Sequence, residues 1–342
     1  MTIKTDALIV GAGPAGLFHI FELGLLGIKS HIIDSLPTTG GQCTELYPDK
    51  PIYDIPALPI VSGQGLIDNL LEQAKPFDPV YHLGEEVTEV VKEDEYFVVR
   101  TSKDQEFHAK TVFVAGGVGS FQPRKLRVDG VEELEGTSVH YRVKDPDAFA
   151  GKKIVICGGG DSALDWVLAL ADKAAELTLV HRRDEYRAAP ASVAAAKELE
   201  AAGKLRILEN ARAKTVTADG AQITSVTIDV KDGDSVTVEA DQVLAFFGLA
   251  PKLGPIAEWG LNINRKAIEV DTEKFETNIP GIFAIGDINT YPGKKKLILS
   301  GFHEAALAAF AAKAIIEPGK KVNLQYTTTS PVMHERLGVE GE

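Results

Sequence analysis

A glycine-rich turn between an apolar segment and a helical segment limits this chain to a small set of folds. Gly11-Ala12-Gly13-Pro14-Ala15-Gly16 follows the apolar residues 7–10 and precedes a helix-compatible segment at 17–27. Glycines at this spacing let the backbone approach a pyrophosphate, and the helix N-terminus favours its negative charge. The next apolar run ends at Asp34, and an acid in that place binds ribose hydroxyls. The predicted dinucleotide contacts are Gly11, Gly13, Pro14, Ala15, Gly16 and Asp34.

The same order of elements occurs a second time. Gly158-Gly159-Gly160-Asp161-Ser162-Ala163 separates an apolar segment at 153–157 from a helical pattern at 162–174. The next apolar segment, 177–180, leads into basic residues instead of an acid. Guanidinium groups bind a 2′-phosphate that a carboxylate would repel, so this copy is expected to bind NADP(H). The predicted contacts are Gly158, Gly160, Asp161, Ser162, Ala163, His181, Arg182, Arg183 and Arg187. The alternative is that His181-Arg182-Arg183 is only a solvated charged run.

The length of 342 residues fits roughly two domains. Short strands are predicted at 107–109, as the last part of a β-meander, and at 111–115. A helix is predicted at 302–316, and the residues from 318 onward are read as a tail. We predict an α/β chain with two Rossmann-like domains of three layers, ββα. The second domain, 121–244, is inserted into the first, 1–120 and 245–317, and the tail is 318–342.

Composition narrows the choice of partners and compartment. A net charge of −13 argues against binding to nucleic acid or to an anionic membrane surface. No uninterrupted apolar run reaches the roughly 18 residues of a membrane span. The first predicted strand begins too near Met1 to leave room for a signal peptide, and two cysteines fit a reducing compartment. We therefore expect a cytoplasmic protein without membrane or metal sites.

Four motifs occur in the order of the two-dinucleotide flavoprotein reductases: GAGPAG, GGGDSA, HRRDEYR and GIFAIGD. Their spacing is most similar to that of low-molecular-weight thioredoxin reductases. Those enzymes carry a CxxC before the second glycine turn, but residues 136–141 contain no cysteine. Cys43 matches the first cysteine of the C-x4-C of glutathione-reductase-like enzymes, yet Pro48 stands at the second position. We expect electrons to leave a flavin directly, because neither dithiol is present.

This combination resembles the thioredoxin-reductase-like ferredoxin (flavodoxin)–NADP+ reductases. Supporting strings are Gly40-Gly41-Gln42, Leu46-Tyr47-Pro48, residues 121–126 and residues 253–261. The resemblance implies a homodimeric two-dinucleotide-binding flavoprotein fold with FAD in the first domain and NADP(H) in the second. It further implies hydride exchange at flavin N5 and single-electron exchange with ferredoxin or flavodoxin.

The resemblance also assigns roles to residues outside the first glycine turn. Tyr47 and Tyr326 are expected to stack on the flavin, with Tyr326 in a tail that folds over the flavin of the partner subunit. Asp287 is expected on the ribityl chain. The additional FAD contacts are Gln42, Tyr47, Val87, Phe121, Asp287, Tyr326, Thr327 and Thr328.

The sequence is compatible with alternative roles for several of these residues and with alternative functions. Lys294-Lys295-Lys296, with Arg124, Lys125 and Arg127, is either a ferredoxin-docking surface or a solvated face. Tyr326 is otherwise an exposed tail residue, and Tyr47 a residue that anchors its loop. The alternative functions are an NADPH-dependent reductase of a small disulfide, an NADPH diaphorase or oxidase, and a non-catalytic flavin-binding module.

Overall fold

The computed structural model describes residues 2–119, 122–143, 145–250 and 252–339. The chain forms two compact units: Met1–Ser120 together with Pro251–Glu342, and Phe121–Ala250. The second unit is thus inserted into the first.

The first unit begins with the strands β1 (Thr2–Val10), β2 (Ser30–Asp34), β3 (Pro51–Ile52), β4 (Val61–Ser62), β5 (Val80–Leu83), β6 (Val87–Lys92), β7 (Phe97–Thr101) and β8 (Glu106–Val114). The second unit contains β9 (Gln122–Pro123), β10 (Val139–His140), β11 (Lys153–Gly158), β12 (Glu176–Val180), β13 (Arg206–Leu208), β14 (Ala211–Asp219), β15 (Gln222–Val230), β16 (Val236–Glu239), β17 (Gln242–Phe246) and β18 (Leu249–Ala250). The first unit ends with β19 (Ile263–Asn264), β20 (Ala267–Glu269), β21 (Ile282–Ala284) and β22 (Asn289–Thr290).

The α-helices are α1 (Pro14–Leu25), α2 (Gln42–Leu46), α3 (Gly63–Ala74), α4 (Asp161–Leu170), α5 (Pro190–Ala201), α6 (Ile298–Ile316) and α7 (Pro331–Leu337). Short 3-10 turns occur at Lys75–Phe77, Glu132–Leu134, Pro146–Phe149, Gly254–Glu258 and Gly286–Ile288.

The sheet of the first unit is built around β1. β1 pairs in parallel with β2 and β8, and β2 pairs in parallel with β5. The first half of β8 pairs antiparallel with β7, and its second half pairs in parallel with β21. The prediction of two separate strands in this region was wrong, because β8 is one strand: β1 pairs along one edge, and β7 and then β21 pair along the other. Lys110 interrupts its apolar pattern and forms an ion pair with Asp6 at 2.8 Å.

Both faces of this sheet are covered, as a parallel sheet requires. Ile9 and Phe113 lie on the face that packs against α1, α3 and α6. Leu8 and Val112 lie on the opposite face, with the side chains of β6 and β7 and with Trp259. All four residues have no exposed surface. The first glycine turn follows β1 and Asp34 is the last residue of β2, so both lie at the carboxyl edge, where open α/β sheets bind their ligands.

Helix α6 begins one turn earlier than predicted, at Ile298. Among the described residues it is also the one helix that is long and apolar enough, by length and composition alone, to cross a membrane. Four alanines on one side are fully buried in the cluster that contains α1, and Glu304 is fully buried as well. This packing accounts for its apolar composition, because a core helix needs the same residues.

The second unit has three layers. A parallel sheet in the order β10-β17-β11-β12-β13 lies between helices and the antiparallel sheet β14-β15-β16. Ile154 and Ile156 pack against α4 and α5. Val155 and Cys157 alternate with them and pack against the antiparallel sheet. The predicted boundary between residues 244 and 245 falls within β17, whose neighbours β10 and β11 belong to this unit.

Helices α5 and α7 were not predicted from the sequence. Helix α5 buries only Ala196, so it lacks the broad apolar face that signals an amphipathic helix. Helix α7 lies in the tail and begins at a Ser330 cap, whose Oγ accepts a hydrogen bond from the Met333 amide at 3.3 Å. It packs against α1, and Arg336 donates a hydrogen bond to the carbonyl of Leu25.

Candidate functional site

The first glycine turn is a backbone cradle at the start of α1. Gly11 has φ +114°, and a Cβ there would lie 2.4 Å from the carbonyl oxygen of Ala115. A Cβ on Gly16 would lie 2.0 Å from the carbonyl oxygen of Gly11, so this glycine permits close packing of helix and strand. Nothing lies within 4 Å of a Cβ on Gly13, which is the uncapped N-cap residue of α1. Pro14, which has no N–H, and Ala15 follow as the first helical residues, so the helix amides that suit a pyrophosphate on this open side begin with that of Ala15.

Asp34 closes this cradle at the end of β2. Its carboxylate accepts hydrogen bonds from the amide of Ala12 at 2.6 Å and from the amide of Leu36 at 2.8 Å. Burial raises the pKa of Asp34, and these two hydrogen bonds oppose the rise. Two bonds leave lone pairs of the carboxylate for ribose hydroxyls.

The loop after β2 brings Gln42 to the Gly286-Asp287 turn. The Gly40 amide donates to the carbonyl oxygen of Ala12 at 2.8 Å, which fixes this loop against the glycine turn. Gln42 Nε2 donates to Asp287 Oδ2 at 3.2 Å. Two residues 245 positions apart in sequence are thus brought together beside the cradle.

Tyr47 lines a cleft of about 450 Å³ in the same unit. Ile52, Tyr53, Lys296 and Ile298 form other parts of its wall, so the cleft lies at the N-terminus of α6. The Tyr47 hydroxyl accepts a hydrogen bond from Cys43 Sγ at 3.6 Å, and burial is the main reason that the pKa of Tyr47 is raised. The half-buried ring stays neutral and can present a face to a planar ligand.

The other predicted flavin contacts lie elsewhere. Val87 is the first residue of β6, and its side chain is buried in the hydrophobic core, so only its backbone is available to a ligand. Tyr326 is 65% exposed, and no aromatic ring of the described chain lies against it. Thr327 and Thr328 are exposed beside it. Phe121 lies outside the described residues.

The second glycine turn repeats the first. A Cβ on Gly158 would lie 2.7 Å from the carbonyl oxygen of Phe246 and 2.8 Å from Cβ of Ala163, whereas nothing lies within 4 Å of a Cβ on Gly160. Asp161 and Ser162 begin α4, and Gly160 is its uncapped N-cap residue. The Asp161 carboxylate accepts a hydrogen bond from the Ala189 amide at 2.9 Å, so it links the starts of α4 and α5.

Three exposed arginines and one buried histidine follow β12. The side chains of Arg182, Arg183 and Arg187 are exposed, and none has an acidic partner among the described residues. His181 is 8% exposed, and its Nε2 lies 3.0 Å from the carbonyl oxygen of Glu185. A Cβ on Gly159 would collide with its ring at 2.1 Å. His181 therefore supports the glycine turn from behind, while the three guanidinium groups are free for an anion.

Both cysteines are free thiols in apolar surroundings. Cys43 and Cys157 are buried, and burial raises the pKa of each, that of Cys157 to about 12. A protonated buried thiol is a poor nucleophile, so neither is suited to disulfide exchange.

The side chain of Lys294 is buried, unlike the side chains of the next two lysines. Lys295 and Lys296 are exposed, but the Lys294 side chain is only 6% exposed and forms an ion pair with the fully buried Glu304. The prediction of Lys294 as a docking or solvated lysine was therefore wrong. Lys125 pairs with Glu135 at 2.7 Å, and Arg124 and Arg127 are exposed. The sequence signal that could have predicted this pair is Glu304, a single acid within the apolar sequence of α6, because a buried carboxylate needs a cation beside it.

Two glycine turns, each at the carboxyl edge of a parallel sheet, define a protein of the two-dinucleotide-binding class. Residues 5–311 match the family described as pyridine nucleotide-disulphide oxidoreductase, and this chain belongs to that family.

Curated relatives cover almost the whole chain. A ferredoxin–NADP reductase of Methylibium petroleiphilum is 61% identical over 343 residues, covering 99% of this chain and 93% of the relative. A ferredoxin–NADP reductase 2 of Cupriavidus metallidurans is 60% identical over 339 residues, covering 99% and 92%. The family resemblance drawn from the motifs is thereby confirmed.

Solved structures share the fold. The thioredoxin reductase of T. acidophilum has a TM-score of 0.75 and 25% identity, covering 91% of this chain and 98% of that one. The thioredoxin reductase of Lactococcus lactis has a TM-score of 0.75 and 27% identity, covering 92% and 99%. The predicted fold class is confirmed.

Proposed function

We propose that this protein is a ferredoxin–NADP+ reductase, which moves electrons between NADP(H) and ferredoxin or flavodoxin through FAD. The observation that carries the proposal is the pair of unlike nucleotide cradles in a chain without a usable dithiol. One cradle is followed by Asp34 and the other by three exposed arginines. The names of the relatives, at about 60% identity, support the same function.

The residues of the first unit fit FAD. The open side at Gly13 suits the pyrophosphate, Asp34 the adenosine ribose and Asp287 the ribityl chain. The cleft beside Tyr47 would take the isoalloxazine ring. When bound, FAD accepts two electrons with a hydride at N5 and exchanges electrons singly with an iron–sulfur partner.

Helix α6 contributes electrostatically to the same cleft. Its N-cap Leu297 provides no side-chain hydrogen bond, so amides of its first turn remain free at the cleft wall formed by Ile298. The positive end of the helix dipole would stabilise negative charge on a reduced ring.

In the second unit, Arg182, Arg183 and Arg187 would bind the 2′-phosphate of NADP(H), and the amides after Gly160 would bind its pyrophosphate. We further propose a cytoplasmic homodimer, without nucleic-acid or membrane binding, whose tail places Tyr326 over the flavin of the partner subunit. The exposed ring of Tyr326 fits that role, because its own unit leaves it uncovered.

A coupled assay tests the function. The absorption spectrum of the purified protein would first show bound flavin, and cytochrome c reduction would then be followed with NADPH or NADH, with and without ferredoxin. We expect the rate to depend on both NADPH and ferredoxin. Flavin reduction without acceleration by ferredoxin or flavodoxin would contradict the proposed acceptor and favour a small disulfide, a quinone or oxygen.

A further inference from the structure

A buried ion pair lies behind the Gly286-Asp287 turn. Glu304, fully buried in α6, accepts hydrogen bonds from the Gly286 amide at 2.7 Å, Asn289 Nδ2 at 2.8 Å and the Tyr291 hydroxyl at 2.9 Å. Its fourth donor is the ammonium group of Lys294. The Glu304 carboxylate is therefore surrounded by donors from the turn and from the segment that follows it.

The pair holds Gly286 from both sides of its backbone. Glu304 accepts from the Gly286 amide, and Lys294 Nζ donates to the Gly286 carbonyl oxygen at 2.9 Å. Gly286 has φ +77°, and a Cβ there would lie 3.1 Å from Cβ of Ala15 in the first glycine turn. The next residue is Asp287, whose carboxylate meets Gln42 at 3.2 Å. The position of Asp287 is thus set by Lys294 and Glu304, whose own side chains are buried behind the turn.

Stability alone gives little reason for such a pair. Replacing a buried ion pair by apolar side chains of similar volume is often neutral or stabilising, whereas removing one partner is costly. The hydrogen bonds of this pair are instead concentrated on one turn and fix its position. Burial, and then the hydrogen bond to Glu304, raise the pKa of Tyr291 to about 12, so this hydroxyl remains a donor.

We infer that Lys294 and Glu304 are positioning residues for FAD: they hold the Gly286-Asp287 turn so that Asp287 meets the ribityl chain. The inference rests on the proposed function, because it takes FAD as the ligand of the first unit. Lys294 thereby has a role distinct from that of the exposed Lys295 and Lys296.

The test measures the FAD dissociation constant of the flavin-free protein by quenching of FAD fluorescence. The variants are Lys294→Met, Glu304→Gln and the two combined, and Lys295→Met is the matched control. We expect each single change to raise the dissociation constant at least tenfold, with no change for the control. The combined variant leaves no unpaired buried charge, so its thermal stability should recover while FAD binding stays weak. NADP+ binding should be unchanged in every variant.

A double-mutant cycle with Asp287→Asn separates positioning from general destabilisation. If Glu304 acts through Asp287, Glu304→Gln should weaken FAD binding by less than twofold when Asp287→Asn is already present. Hydrogen exchange in the flavin-free combined variant should accelerate at residues 284–290.

Three outcomes would overturn the inference. One is tight FAD binding, within twofold of the unsubstituted protein, in the combined variant, and another is full additivity in the cycle. If the unsubstituted protein itself binds no FAD, the proposed function fails and the inference fails with it. If it binds FAD and either of the first two outcomes is found, only the inference fails.

Discussion

Arg182 offers a direct test of coenzyme choice at the scale of one residue. It is exposed beside Arg183 and Arg187 without an acidic partner among the described residues. A charged hydrogen bond contributes about 1.5–3 kcal/mol, and 1.4 kcal/mol is a factor of about ten. Arg182→Ala should therefore lower kcat/KM for NADPH at least about tenfold and leave the value for NADH nearly unchanged. The matched control is Arg206→Ala, an exposed arginine on β13. An equal loss with both coenzymes would contradict a phosphate contact.

His19 gives a prediction about stability and pH. It is fully buried between α1 and α6, with Nδ1 3.0 Å from the carbonyl oxygen of Ala305 and the ring 4.1 Å from that of Phe113. Burial lowers the pKa of His19 from 6.5 to about 3. Below pH 6.5 the unfolded chain binds a proton that the native state does not, so stability falls as the pH falls.

At pH values below the pKa of His19 in the unfolded chain, this one group should lower the free energy of unfolding by about 1.4 kcal/mol per pH unit. Urea unfolding between pH 6.5 and about 5, above the range where most carboxylates titrate, would measure it. His19→Gln has no proton to gain, so its stability should depend less steeply on pH. Parallel curves for the two proteins would show that His19 is not neutral in the native state.

At the scale of elements, the glycines of the first turn have separable roles. A Cβ on Gly16 meets the Gly11 carbonyl oxygen, whereas a Cβ on Gly13 meets nothing within 4 Å and its φ of −76° suits any residue. Gly16→Ala should destabilise the flavin-free protein by about 1–3 kcal/mol, as overpacking does. Gly13→Ala should change its stability by less than about 0.5 kcal/mol and still weaken FAD binding.

Urea unfolding and FAD titration of both variants distinguish these effects. Equal destabilisation by both changes, together with unchanged FAD binding by Gly13→Ala, would mean that the open side at Gly13 is needed for folding and not for the ligand.

The elements that sequence reasoning found are those whose signals are local. Both strand–turn–helix units follow from glycine spacing, and the arginines after β12 follow from the comparison with Asp34. Helix α5 was missed because only Ala196 is buried and its exposed positions mix alanines with charged residues, so no amphipathic pattern marks it. The Lys294–Glu304 pair was missed because a lysine run looks solvated until the fold places one of its members beside a buried acid.

At the scale of the whole molecule, each unit has its own hydrophobic clusters and its own nucleotide cradle. A ligand stabilises the state that binds it, by about 2.7 kcal/mol at a concentration one hundred times its dissociation constant. FAD should therefore slow hydrogen exchange mainly at residues 2–119 and 252–339, and NADP+ mainly at residues 122–143 and 145–250. Exchange measured by mass spectrometry with each ligand alone would test this assignment, with Arg182→Ala as the variant in which only the NADP+ effect declines. Protection of the second unit by FAD alone, with the first unit unchanged, would contradict the placement of the two cofactors, because each cradle protects the core on which it is built.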